Sequence, residues 1–72
     1  MLLSEAKKGE DYTILKVNLV GEAKRRAEEL GILKGEKITL KRRYFSGGGT
    51  FVVGGVSVGL GKCAIDAVEV EK

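Results

Sequence analysis

The run Lys24-Arg25-Arg26-Ala27-Glu28-Glu29-Leu30-Gly31-Ile32-Leu33-Lys34-Gly35-Glu36-Lys37-Ile38-Thr39-Leu40 constrains this chain most, because it leads a short helix through a glycine stop directly into a β-strand. From Glu22 to Leu30, Ala23, Ala27 and Leu30 recur at helical spacing. Glu22 sits beside the positive N-terminal end of the helix dipole. The pairs Glu22/Arg26, Lys24/Glu28 and Arg25/Glu29 stand one turn apart. The spacing predicts an amphipathic helix of about two to three turns, seated on the core through Ala23, Ala27 and Leu30. Gly31 stands where the residue after a helix adopts a left-handed conformation, so Ile32 can fold back onto the helix. Leu33 to Glu36 then turns the chain into a strand over Lys37 to Tyr44, with Ile38 and Leu40 on one face and Thr39, Lys41 and Arg43 on the other.

The flanking segments read as short strands and turns. Leu3 to Ala6 suggests a turn of helix, and Lys7-Lys8-Gly9-Glu10 delivers the chain to a strand over Asp11 to Val17. In that strand Tyr12 and Ile14 alternate, while Leu15 and Val17 fall on the opposite parity, which predicts a bend near Leu15. Ser46-Gly47-Gly48-Gly49 marks a hairpin, Thr50 to Val53 a returning strand, and Gly54-Gly55 a second turn before Val56, Val58 and Leu60. Gly61 to Asp66 has the look of one helical turn, and Ala67 to Glu71 of a closing strand with Val68 and Val70 on one face. The expected fold is mainly β: a small barrel of about five strands with one inserted helix and short helical turns near both ends, the closed form removing exposed edges. A chain of 72 residues holds one domain, 1–72, near the lower size limit for a self-sufficient core.

Composition narrows the function by exclusion. The longest mainly apolar stretch, Thr50 to Leu60, contains three glycines in eleven residues, far from the ~20 apolar residues that span a bilayer. Met1 to Glu5 lacks the basic and apolar regions of a secretory leader, and the single cysteine, Cys63, cannot staple the fold; both features point to the cytoplasm. The net charge of +3 is modest, although Lys24-Arg25-Arg26 and Lys41-Arg42-Arg43 form two local basic clusters.

Several motifs fail on context. Gly59-Leu60-Gly61-Lys62-Cys63-Ala64 has the glycine spacing of a dinucleotide-binding turn, but only eight residues follow Ala64, too few for the helix, second strand and acidic residue such a site needs. The same run fails as a phosphate-binding loop, since Val56 replaces the first glycine and Cys63 the magnesium-binding hydroxyl. With no histidine and no second thiolate, Cys63 and Asp66 make no closed metal site within one chain. Cys63 is expected to be a small buried hydrophobe. No nucleophile has a histidine base and no carboxylate pair is held by local geometry, so the chain is not expected to be an enzyme. The glycines at 47 to 49 suggest a flexible tip, and core packing is expected for at least one of Tyr44 and Phe45.

The order of elements and the segment Arg25 to Gly35 resemble the FeoA family, small cytosolic accessory proteins of bacterial ferrous iron transport. Leu3-Ser4-Glu5 with Lys8-Gly9-Glu10 is similar to that family's usual start. Arg26 and Glu29-Leu30-Gly31-Ile32 with Gly35 are similar to its central signature, Gly55 with Val58 and Leu60 to its late strand, and Cys63-Ala64-Ile65 to Val70 to its terminal turn and strand. The resemblance implies an SH3-like barrel with an inserted helix. It also implies a non-enzymatic partner of the membrane ferrous iron transporter, docking on that transporter's cytosolic GTP-binding domain, with no cofactor of its own. The positions expected to make this contact are Arg25, Arg26, Arg42, Arg43 and Tyr44. Relatives carry proline before the glycine matched by Gly35 and in the hairpin at 47 to 49; this chain has none, which predicts a looser hairpin. It also inserts Gly61 before Lys62.

Two other readings come from different classes. One is an SH3-like regulatory or nucleic-acid-binding module, since metal-dependent repressors end in a similar domain; the missing helix-turn-helix, the weak charge and the sparse aromatics argue against a complete repressor or a nucleic-acid partner. The other is an iron chaperone that binds the metal itself, which a chain with one cysteine and no histidine is poorly equipped to be. Homo-oligomerisation stays open, as does a metal site shared between subunits.

Overall fold

The computed structural model describes residues 1–72. Five strands, β1 (Asp11–Val17), β2 (Lys37–Arg43), β3 (Gly49–Val53), β4 (Val56–Leu60) and β5 (Val68–Glu71), form one antiparallel sheet in the order β4-β3-β2-β1-β5. The helix α1 (Gly21–Glu29) is inserted between β1 and β2, a one-turn helix α2 (Lys62–Ile65) joins β4 to β5, and a 3-10 turn (Leu3–Glu5) precedes β1. The meander β2-β3-β4 is the one the glycine turns predict.

The sheet does not close by pairing β4 with β5, so the barrel is partly open. Instead α2 connects these edge strands, and the 3-10 turn packs on both α2 and β5. The outer edge of β5 is covered by the first residues: Leu2 bridges Glu69, the Val70 N–H donates to the Met1 carbonyl at 2.8 Å, and the Met1 ammonium donates to the Val70 carbonyl at 3.1 Å. This satisfies part of a row of backbone groups that an open edge would expose.

The bend expected near Leu15 is a register shift between Ile14 and Lys16 in the β1–β5 ladder, and it leaves Leu15 exposed. A bulge of this kind lets one strand serve two directions of a curved sheet. A second shift, between Leu40 and Arg42, bends β2 where it enters the hairpin.

Fifteen apolar side chains form one core. Tyr12, Ile14, Ile38, Leu40, Phe51 and Val53 come from β1 to β3, Val58, Leu60, Ile65, Val68 and Val70 from the C-terminal third, and Leu3, Ala6, Ala27 and Ile32 from the first turn and from α1 with its stop. The one polar tip among them is used: the Tyr12 hydroxyl accepts from the Lys7 N–H at 2.9 Å.

Helix α1 ends as the sequence requires. The Ile32 N–H donates to the Ala27 carbonyl at 2.9 Å and the Gly31 N–H to the Glu28 carbonyl at 3.0 Å, with Gly31 at φ +91°. These are the two bonds of a Schellman stop, and they drive Ile32 into the core at 1% exposure. The helix seats differently from the expectation, however. Only Ala27 is buried; Ala23 is exposed and Leu30 is 43% exposed. The apolar stripe of α1 is wider than the part the sheet covers, and the remainder lines a groove.

Candidate functional site

The uncovered stripe of α1 faces the connection between β4 and β5. Ala23 and Leu30 from the helix, Leu19 before it, and Leu60, Ala64 and Val68 from the far side enclose a groove of about 320 Å³. Arg26 is its only charged lining residue, and Cys63 stands in the wall contributed by α2. Cys63 is exposed, which corrects the expectation of a buried hydrophobe: the short helix turns it outward and sends Ile65, at 1% exposure, into the core in its place. A second concavity, between β1 and α1, is lined by Leu15, Leu33, Lys16, Lys24, Lys34 and Glu28 among others, and is more mixed in character.

At the far end of β2 the chain forms a hairpin tip over residues 44–48. The Tyr44 N–H donates to the Gly48 carbonyl at 2.8 Å, and the Gly47 N–H donates to the Tyr44 carbonyl at 3.1 Å. The Tyr44 and Thr50 hydroxyls share a hydrogen bond of 2.5 Å. Gly48 lies against the β4–α2 junction so closely that a Cβ there would stand 2.3 Å from the Leu60 carbonyl oxygen. The tip is therefore tied down, contrary to the loose hairpin expected from its glycines. Gly48 serves close approach; Gly47, at φ +105°, supplies the left-handed turn.

Neither aromatic of the tip packs in the core, which overturns the other expectation for this segment. Tyr44 is 39% exposed and Phe45 fully so, at 111%. The strand parity that buries Ile38 and Leu40 is broken by the shift before Arg42 and ends at Arg43, so nothing carries Phe45 inward.

The five sequence-derived contact positions fall on two neighbouring surfaces. Arg25 and Arg26 lie on α1, where Arg25 is 3.6 Å from Glu22 in an exposed pair and Arg26 borders the groove. Arg42, Arg43 and Tyr44 lie on the hairpin, where one guanidinium nitrogen of Arg43 donates to the Ala6 carbonyl at 2.7 Å. The two surfaces meet at the β4–α2 junction: Leu60 and Gly61 line the groove and also abut Gly48, and the Lys62 stem lies against Gly47. Within α2, the Lys62 ammonium donates to Asp66 at 3.0 Å. That hydrogen bond, with the charge attraction behind it, holds the Lys62 ammonium above its usual range; the hydrogen bond from Lys62 holds the Asp66 carboxyl below its own. Sequence reasoning missed the groove and Phe45. Ala23 and Leu30 carried the signal for the groove, since two apolar residues beside Ala27 exceed what a short helix over a small sheet can bury.

A family model described as the FeoA domain matches residues 1–72. The chain belongs to the FeoA family. Solved structures agree. The iron(II) transport protein A of Clostridium thermocellum superposes with a TM-score of 0.92 at 26% identity, over 99% of this chain and 44% of that one. This FeoA chain thus spans less than half the length of that relative. A zinc complex of FeoA from Stenotrophomonas maltophilia, described as an SH3 domain protein put forward as a ferrous iron transport activating factor, has a TM-score of 0.83 at 26% identity, covering 99% and 89% of the two chains. A manganese-dependent transcriptional repressor shares the fold, with a TM-score of 0.91 at 20% identity over 100% of this chain and 41% of its own. No curated protein matches by sequence. Membership places the chain in a family implicated in ferrous iron transport. No helix is long and apolar enough to cross a membrane, and no three Cys, Asp or Glu side chains gather into a metal-binding cluster.

Proposed function

We propose that this protein is a cytosolic accessory component of bacterial ferrous iron transport, working as a single domain by protein–protein contact with the GTP-binding region of the membrane iron transporter. It performs no chemistry of its own and carries no cofactor. The observation that carries this reading is the groove between α1 and α2. It is apolar apart from Arg26, and so suited to an apolar partner side chain flanked by a carboxylate. Arg25 adds charge along the same helix, and Arg42, Arg43 and Tyr44 extend the contact face across the β4–α2 junction.

The description of the Stenotrophomonas maltophilia protein as a transport activating factor supports a protein partner. Titrating the full chain against the transporter's soluble GTP-binding domain, over a series of salt concentrations, tests the docking directly. Replacing Arg26→Ala is expected to weaken binding about tenfold, in the range for a charge at the centre of a contact. Arg25→Ala, already paired with Glu22 on the surface, is expected to cost about twofold. Absence of association at every salt concentration refutes the docking.

A further inference from the structure

Residues 41–49 hold three of the thirteen basic residues and none of the ten acidic ones, so the other 63 residues balance to zero and the whole net charge of +3 resides in this hairpin. At its apex stands Phe45, fully exposed, with Tyr44 half-exposed beside it. Its exposure is not that of a loose loop, because the two backbone hydrogen bonds, the Tyr44–Thr50 bond and the seating of Gly48 on Leu60 fix the turn that projects it. The apolar group is thus presented in advance, with little ordering cost on binding.

We infer that this tip is a docking point for an anionic lipid surface, Phe45 entering the headgroup region while Lys41 and Arg42 pair with lipid phosphates. Charge selects the occupant: Lys41 and Arg42 are exposed and take part in no ion pair, whereas Arg43 is engaged by the Ala6 carbonyl and Lys62 by Asp66. A second copy of the chain does not fit, since the groove that would receive Phe45 is bordered by Arg26 and would meet a basic hairpin with like charge. Shape selects a surface over a protein pocket. A standard protein interface takes roughly 800 Å² per partner, more than a sixth of this molecule's 4573 Å², and a convex nine-residue tip offers less. A planar layer needs one apolar apex with cations set behind it, the order found here. Bound this way, the hairpin gives Arg42 to the lipid rather than to the transporter, which narrows the protein contact proposed above to the groove with Arg25 and Arg26 and presents that groove next to the membrane.

The chain has no tryptophan, so Phe45→Trp creates a single reporter at the apex, and Val56→Trp, on an exposed residue at the opposite end of the sheet, serves as control. With vesicles of phosphatidylcholine containing roughly one third phosphatidylglycerol, emission from Phe45→Trp is expected to shift to the blue and that from Val56→Trp to stay unchanged. In vesicle sedimentation, Phe45→Ser is expected to weaken partitioning of the full chain about tenfold, and Lys41→Gln or Arg42→Gln about fivefold each. Circular dichroism confirms that each variant is folded. Wild type that stays in the supernatant, Phe45→Ser that partitions unchanged, or equal shifts from both tryptophans overturns the inference. So does association with an acidic protein surface but not with anionic vesicles. The vesicles contain no transporter, so failure here leaves the proposed docking function standing.

Discussion

At position 48 a single hydrogen separates the native hairpin from a clash. A Cβ would lie 2.3 Å from the Leu60 carbonyl oxygen and 3.1 Å from the Gly61 Cα, both backbone atoms that cannot swing aside. Gly48→Ala should therefore lower stability by about 2–3 kcal/mol, read by urea unfolding; a loss below about 0.5 kcal/mol would show that the tip is not seated on the β4–α2 junction. The sequence shows a glycine triplet and with it a turn, but not which neighbour makes the middle glycine obligatory, because that neighbour is twelve residues away. Cys63 and Phe45 escaped for a related reason: both follow bends where the parity of the preceding strand no longer applies. The Lys62–Asp66 pair can be checked at the same scale. Asp66 is held below its usual carboxylate range and Lys62 above its own. What the pair contributes is present at neutral pH, fades on the acid side as pH falls through the lowered Asp66 value, and fades on the alkaline side as pH rises through the raised Lys62 value. Carbon-detected NMR titration should give an Asp66 midpoint under 3.8, and Lys62→Gln should raise it; an unmoved midpoint would remove Lys62 as the cause.

Among the elements, α1 shows how far periodicity reaches. Its extent, its glycine stop and the return of Ile32 were legible, because local bonds between Gly31, Ile32 and the last turn determine them. Its burial was not, because that depends on how much of the helix a five-stranded sheet can cover. The consequence is an unequal pair of neighbours. Ile32→Ala should cost about 2–5 kcal/mol as a cavity in the core. Leu30→Ser, at 43% native exposure, should change stability by less than about 0.5 kcal/mol and instead weaken whatever fills the groove. Urea unfolding of the two variants separates them: comparable losses would mean that Leu30 belongs to the core and that the groove is closed in solution. The bend in β1 belongs to the same scale. Apolar residues on both parities around Leu15 forecast it, since no straight strand could satisfy them, and the register shift between Ile14 and Lys16 realises it.

For the molecule as a whole, size is the governing quantity. An accessible surface of 4573 Å² for a 7.7 kDa chain means that folding removes roughly 60% of the surface the unfolded chain exposes, typical of the smallest self-sufficient domains. At ~0.05–0.15 kcal/mol per residue the total stability falls in the range of about 4–11 kcal/mol. One core carries it, and Ile38, at 0% exposure, pairs across β1 with Tyr12 and across β3 with Val53. Ile38→Ala should then remove about 3–5 kcal/mol, leaving a substantial unfolded fraction at the low end of that range and a chain still folded by about 6–8 kcal/mol at the high end. Because the strands from both ends of the chain share that core, the loss should appear as one cooperative transition. Hydrogen exchange should show protection falling together in β1, β3 and β5 rather than near the substitution alone. Protection retained in β5 while β2 and β3 open would divide the core into two independent parts, and with it the common support on which both the groove and the hairpin tip are mounted.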